Sequence, residues 1–135
     1  MPSLQVDAPV ELVGSTKREL ARRLGATYSR LMDTVPDIVT VVVHDHGADS
    51  VWRCTSGEPV VAGLIMADIR SGRDRAARDR VARAMIEICV DLTGISPEHW
   101  KVEFTQHAGD EMFHGHLGGF NTNWSPGESR GPDPS

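Results

Sequence analysis

The most unusual chemistry open to this chain lies at Pro2. Initiator methionine is usually removed before a small second residue, which would leave proline as a secondary amine able to accept a proton or attack a carbonyl. A free α-amino group has a pKa near about 7.7–8, so only about a tenth to a fifth of it is neutral at pH 7. Proline's amine is somewhat more basic still. An apolar pocket with cations nearby would disfavour the ammonium form and bring that pKa down. The amine would then be a base poised near working pH. Met-Pro is also a common way for a chain to begin, so the dipeptide alone assigns no role.

A second group is Ile69-Arg70-Ser71-Gly72-Arg73, between an expected strand and an expected helix. Guanidinium forks bind carboxylates in a bidentate way. A strand-to-helix junction adds free backbone amides and the helix dipole for an anion. The plain alternative is a solvated basic run, since Arg75, Arg78, Arg80 and Arg83 follow. Those later arginines have acids at helical spacing, Asp74 with Arg78 and Asp79 with Arg83, which accounts for them as a surface ladder. Arg70 and Arg73 precede the helix body and are not accounted for in that way. Removing Arg73 is expected to weaken capture of an anionic substrate with the fold intact.

Histidines form a third pattern, with His44 two residues before His46 and His114 two before His116. Residues i and i+2 of a strand face the same way, so the four imidazoles could in principle hold zinc or a related ion. A cupin-like metal enzyme would need many more strands and fewer helices. Histidine pairs at loop edges more often hydrogen-bond or meet solvent, and the expectation is no metal and no cofactor. Gly115, Gly118 and Gly119 mark a tight backbone around the second pair.

These residues must be positioned by a scaffold, and the pattern is β-α-β twice. Ser3 to Val6 reads as a short strand ended by Ala8-Pro9. Thr16 with Glu19 has the spacing of a capping box. Leu20, Leu24, Tyr28, Leu31 and Met32 recur near a 3.6 period, predicting an amphipathic helix to about Thr34. Ile38–Val43 is a β-branched strand. A polar connection, His46 to Pro59, leads to an apolar strand, Val60–Met66, then a turn over Asp68–Arg73. Asp74 opens a second helix bearing Val81, Met85, Ile88, Cys89 and Leu92, and Gly94 stops it. A strand from Trp100 to Thr105 follows. The halves echo each other at a spacing of about sixty residues, carried by element order. Right-handed crossovers would place both helices on one face of a four-stranded sheet. The nearly continuous apolar runs suggest strands covered on both faces, hence an oligomer.

With 135 residues, one domain is expected, spanning 1–124, with a disordered tail over 125–135 rich in Gly, Pro, Ser and charge. The formal net charge is -5, which argues against a general nucleic-acid binder. Two cysteines, Cys54 and Cys89, imply no disulfide framework. No run approaches the ~20 apolar residues of a membrane span. The start lacks the basic and apolar segments of a secretory signal, so the expected location is cytoplasmic.

Taken together, Met1-Pro2 before a strand, the double β-α-β plan and the run Ile69–Arg73 resemble the tautomerase superfamily, whose members use an amino-terminal proline. The similarity spans roughly residues 2 to 120 and is closest to the subgroup of cis-3-chloroacrylic acid dehalogenase, through Asp49-Ser50-Val51-Trp52 and Trp100-Lys101-Val102-Glu103-Phe104. The conjunction in order carries the resemblance, not any single motif. It implies an α/β fold assembled as a homotrimer, Pro2 as general base or acid, and Arg70 with Arg73 holding the carboxylate of a small anionic substrate. The dehalogenase pattern has a histidine where Tyr28 stands, a tyrosine where Glu103 falls and a water-activating glutamate nearest His114. Those departures point away from dehalogenation. A tautomerase needs less: one base, a carboxylate clamp and a donor for the developing enolate. Tyr28 could be that donor, or simply part of the helix's core face. His114 could shuttle a proton. Glu103, alternating with Val102 and Phe104, fits an exposed strand position. The expected reaction is proton transfer alpha to a carbonyl. The alternatives are a hydratase or dehalogenase of a three-carbon unsaturated acid, with His114 or Glu103 directing water, and a non-catalytic member of the fold.

Overall fold

The structure is a computed structural model that describes residues 2–120. The tail expected over 125–135 lies outside the described residues. The first strand, β1, is Ser3–Ala8, with Leu4, Val6 and Ala8 buried in strict alternation. Helix α1, Gly14–Leu31, follows. Strand β2 is Thr40–Asp45, and a small hairpin pairs β3, Trp52–Arg53, with β4, Val60–Val61. Strand β5, Gly63–Arg70, leads to helix α2, Arg75–Thr93, and then to β6, Trp100–His107. A last hairpin pairs β7, Phe113–His114, with β8, Gly119–Phe120. Among the described residues, no helix is long and apolar enough to cross a membrane.

The main sheet runs β2-β1-β5-β6. β1 pairs with β2 in parallel and with β5 in antiparallel, and β5 pairs with β6 in parallel. The two β-α-β halves therefore meet back to back at β1 and β5. Both helices share one core with the sheet: Leu20, Leu24, Tyr28 and Met32 of the first half meet Val81, Met85, Ile88 and Cys89 of the second over Leu4, Val6, Ile65, Ala67 and Ile69. The opposite sheet face is mixed. Register places Val42, Leu64 and Met66 there beside Gln5, Asp7, Asp68 and Glu103. Val41 and Val43 pack toward the core instead, so the β-branched run is not a strand buried on both sides.

Local details depart from the expectations at several places: Ile38 lies in a 3-10 turn before β2, and the expected strand Val60–Met66 divides between β4 and β5. The capping box does not form: α1 starts at Gly14, the Val13 carbonyl accepts from the Thr16 and Lys17 amides at 3.0 and 3.1 Å, and Glu19 accepts from Arg22 Nε at 3.0 Å. With the helix already one turn old at Thr16, its amide has a backbone acceptor and needs no side-chain cap. The same helix ends at Leu31, three residues early, where Asp33 takes φ 55°. The first half of the turn expected over Asp68–Arg73 is strand, because Asp68 and Arg70 alternate with buried Ala67 and Ile69 and the ladder to β6 runs out to Arg70 opposite His107. At α2 the expected ends stand. Asp74 Oδ1 accepts from the Ala77 amide at 2.8 Å, and Gly94 closes the helix at φ 77°.

Gly63 shows how tightly β5 meets β6. A Cβ there would sit 2.5 Å from two atoms of the Trp100 ring, which is pinned by its Nε1 donating to the Ile95 carbonyl at 3.1 Å. Gly63→Ala is expected to cost about 1–3 kcal/mol and lower Tm by roughly 5–15 °C. A thermal melt matching the unsubstituted protein would mean that the ring swings aside freely.

Candidate active site

Pro2 directly precedes β1, is buried, and continues the alternation of Leu4, Val6 and Ala8. Its carbonyl accepts from the Thr40 amide at 3.0 Å, tying the chain start to β2. The antiparallel register, Ser3 opposite Asp68, brings this start to the end of β5 that carries Arg70. Arg70 is only 9% exposed, as is Arg73 three residues later. Gly72 between them has φ 121°, a backbone conformation that favours glycine and lets the chain turn at once from β5 toward α2.

Arg73 reaches under α1. Its Nε and Nη2 donate to the Met32 carbonyl at 3.2 and 3.0 Å. That carbonyl belongs to the helix end, where backbone acceptors lack intrahelical partners and the dipole is negative. Arg73 therefore fastens the loop before α2 to the end of α1. It also lines a hollow of about 260 Å³ with Met32, Asp33, Gly72, Asp74 and Arg80, in which Pro2 has no part.

Electrostatics shows which of these groups sense one another. Burial pushes the Tyr28 phenol up to about 12, and the Arg73 charge opposes it. Tyr28 is 1% exposed and stays protonated near neutrality, so it can donate a hydrogen bond but not act as a base. The Arg73 pKa is lowered, first by burial and also by Arg70, while Tyr28 and Asp33 act the other way. Tyr28, Arg70 and Arg73 thus share one cationic neighbourhood. His114 lies in β7, and its pKa is lowered by partial burial, by the charge of the amino terminus and by His116. These influences favour the neutral form of its imidazole.

Glu103 stands apart within the single chain. It is exposed on β6 opposite Met66 and pairs with Lys101 at 3.2 Å. Four residues separate it from His107 along the strand, about 13 Å at 3.3 Å per residue. Two residues near Arg70 were not singled out by the sequence. His107 is opposite Arg70, and its Nε2 is 3.7 Å from Asp68 Oδ1; Asp68 also accepts from the Thr105 hydroxyl. The period-two run Thr105, His107 was the available signal, obscured by the glycines and histidines that follow. The two histidine pairs are not gathered into one cluster among the described residues; His44 and His46 meet Asp7 instead.

No protein-family model matches the chain, and no curated protein matches it. Solved structures do match. N1, a member of the cis-3-chloroacrylic acid dehalogenase family, is 21% identical, with a TM-score of 0.73 over 87% of this chain and 82% of that one. A macrophage migration inhibitory factor-like protein from Entamoeba histolytica is 16% identical, with a TM-score of 0.69 over 84% of this chain and 94% of that one. A fused 4-OT described as a symmetric trimer is 16% identical, with a TM-score of 0.72 over 84% and 91%. The chain has the fold of these structures. At these identities the likeness is one of architecture. In this fold the first strand is one of the two inner strands of the sheet, so residue 2 is delivered to a buried position beside the end of β5.

Proposed function

We propose that this protein is a cofactor-independent tautomerase-type enzyme that moves a proton alpha to the carbonyl of a small carboxylate, with the secondary amine of Pro2 as base. The observation that carries this reading is the burial of Pro2 at the strand end that also bears the buried Arg70 and leads to Arg73. The reading requires a mature chain that begins at Pro2. The amine takes the proton of an enol and returns one to carbon, so no atom is gained or lost. Arg70 and Arg73 offset the charge of the substrate carboxylate and of the developing enolate, the kind of fixed donor field that lowers such a barrier. Tyr28, kept protonated, supplies a neutral donor. His114, whose neutral form is favoured, is the group assigned to pass a proton. The assembly proposed is a homotrimer, supported by the trimeric 4-OT neighbours and by Val42, Leu64 and Met66 on the uncovered sheet face.

A neutral His114 also suits a water-directing base, which keeps hydration or dehalogenation of a three-carbon unsaturated acid as the second reading. Glu103 contributes nothing to it within one chain.

The test joins two measurements on the same sample. Intact mass should show Met1 absent, and phenylenolpyruvate or a related 2-oxo acid should interconvert between enol and keto forms well above the buffer rate. A retained Met1, which makes the proline nitrogen an amide, removes the base and ends the proposal. A clean Pro2 terminus with no conversion across several such acids, but turnover of an unsaturated acid, selects the second reading.

A further inference from the structure

Asp7, His44 and His46 converge at the opposite end of β1 from Pro2. The parallel register sets Asp7 directly beside His44. His46 follows two residues later, and its amide donates to the Ala8 carbonyl at 3.0 Å, so the backbone stays in sheet register past the end of β2. Both imidazoles consequently share the face that the helices leave uncovered. His44 Nδ1 lies 3.1 Å and His46 Nε2 2.7 Å from the same atom, Asp7 Oδ1. One ligand atom from each of the three residues lies within 4.8 Å of the other two.

The backbone beneath this group is held from both sides. Asp45, between the histidines, turns the other way and accepts from the Leu12 amide and from Lys17 Nζ, each at 3.2 Å. Gly47, at φ 82°, turns the chain just after His46, and the Ser50 hydroxyl donates to the Gly47 carbonyl.

We propose that Asp7, His44 and His46 form a binding site for one divalent transition-metal ion of zinc's class. Two imidazole nitrogens and one carboxylate oxygen are a donor set that zinc takes up, at ligand distances of about 2.0–2.2 Å. Ligand atoms at those distances around a tetrahedral ion stand about 3.3 Å from one another. The two nitrogen–oxygen separations of 3.1 and 2.7 Å would open slightly, and the two imidazole nitrogens, within 4.8 Å of each other, would adjust toward the same spacing. Within the single chain, side-chain exposures of 46% for His44, 42% for His46 and 22% for Asp7 leave the remaining coordination positions open. Bound there, the ion ties the edge strand β2 and the start of the loop after it to β1. Magnesium, which prefers oxygen ligands and keeps its own waters, does not suit the site. Asp7 is five residues from Pro2, about 17 Å along the strand, so the site is independent of the proline chemistry.

The experiment titrates the intact chain, carrying no added polyhistidine and in its own assembly, with Co(II) and then Zn(II). One Co(II) per chain should bind with intense visible bands of low coordination number, and Zn(II) should displace it. Zinc, and not magnesium, should raise Tm, because only the folded chain brings the three ligands together. His44→Gln and His46→Gln should each weaken binding by more than about tenfold, since losing a ligand costs at least as much as losing an outer-shell partner. His114→Gln with His116→Gln should bind like the unsubstituted chain. Absence of saturable uptake, uptake that survives both His44→Gln and His46→Gln, or uptake lost with the other histidine pair would each overturn the site. None of these readouts depends on turnover.

Discussion

Blocking the amine of Pro2 should abolish most turnover. A chain with one extra residue retained ahead of Pro2 has an amide nitrogen there, with no basic lone pair, and is expected to lose about 10²–10⁴-fold in kcat, the usual contribution of a positioned base. Pro2→Ala is a gentler probe, since alanine leaves a primary amine at the terminus. It removes the ring that holds the nitrogen in line with β1, whose first turn of backbone is anchored by the Thr40 amide on the Pro2 carbonyl. Its loss should therefore lie between that of the extended chain and the unsubstituted one. The sign of the pH dependence follows from the same assignment. With the neutral amine as the base, activity should fall as acid converts the amine to ammonium. Burst-free steady-state assays of the three chains across pH would check this order. Equal rates in all three would show that the proton moves elsewhere.

How far this site could be read without coordinates depends on the residue. Pro2, Arg70 and Arg73 stand out in the sequence because each is an odd type for its place, an imino acid at the start of a strand and two guanidinium groups ahead of a helix body, and the structure buries all three. Asp79 pairs with Arg83 at 2.9 Å as the ladder expects, but the Asp74 carboxylate accepts from the Ala77 amide instead of pairing with Arg78. The tandem β-α-β plan with both helices on one sheet face was legible too, because two such units leave few right-handed arrangements. What was not legible is pairwise. No spacing rule connects Arg73 to the carbonyl of Met32, forty-one residues earlier. Likewise Asp7 meets His44 only because β1 and β2 align in one register out of several. Glu103 and Lys101 sit two apart on an exposed strand face, where their mutual attraction uses up the simplest explanation for both. The capping box failed for a related reason: local chemistry at Thr16 and Glu19 was correct in type, but the helix began earlier, and the Val13 carbonyl took the Thr16 amide first.

The link between Arg73 and Met32 changes what Arg73→Ala should do. From the sequence, the expected result was weaker substrate capture in an intact fold. The geometry adds a second loss, because the substitution strips two charged donors from a helix-end carbonyl beside a buried side chain. Leaving such an acceptor unsatisfied costs about 1–3 kcal/mol, or roughly 4–15 °C in Tm for a domain of this size. If Arg73 also offsets the substrate carboxylate, the folded variant should show KM raised by about 10–100-fold, the equivalent of losing one charge-assisted hydrogen bond. Arg73→Lys separates the two effects. A lysine keeps positive charge near the end of α1 but cannot bridge a carboxylate with a planar fork, so stability should recover more than KM does. Thermal melts with steady-state kinetics, run at a temperature where every variant is folded, distinguish the cases. A lower Tm with KM unchanged in both variants would make Arg73 a fastening for α1 alone and leave Arg70 as the cation of the site.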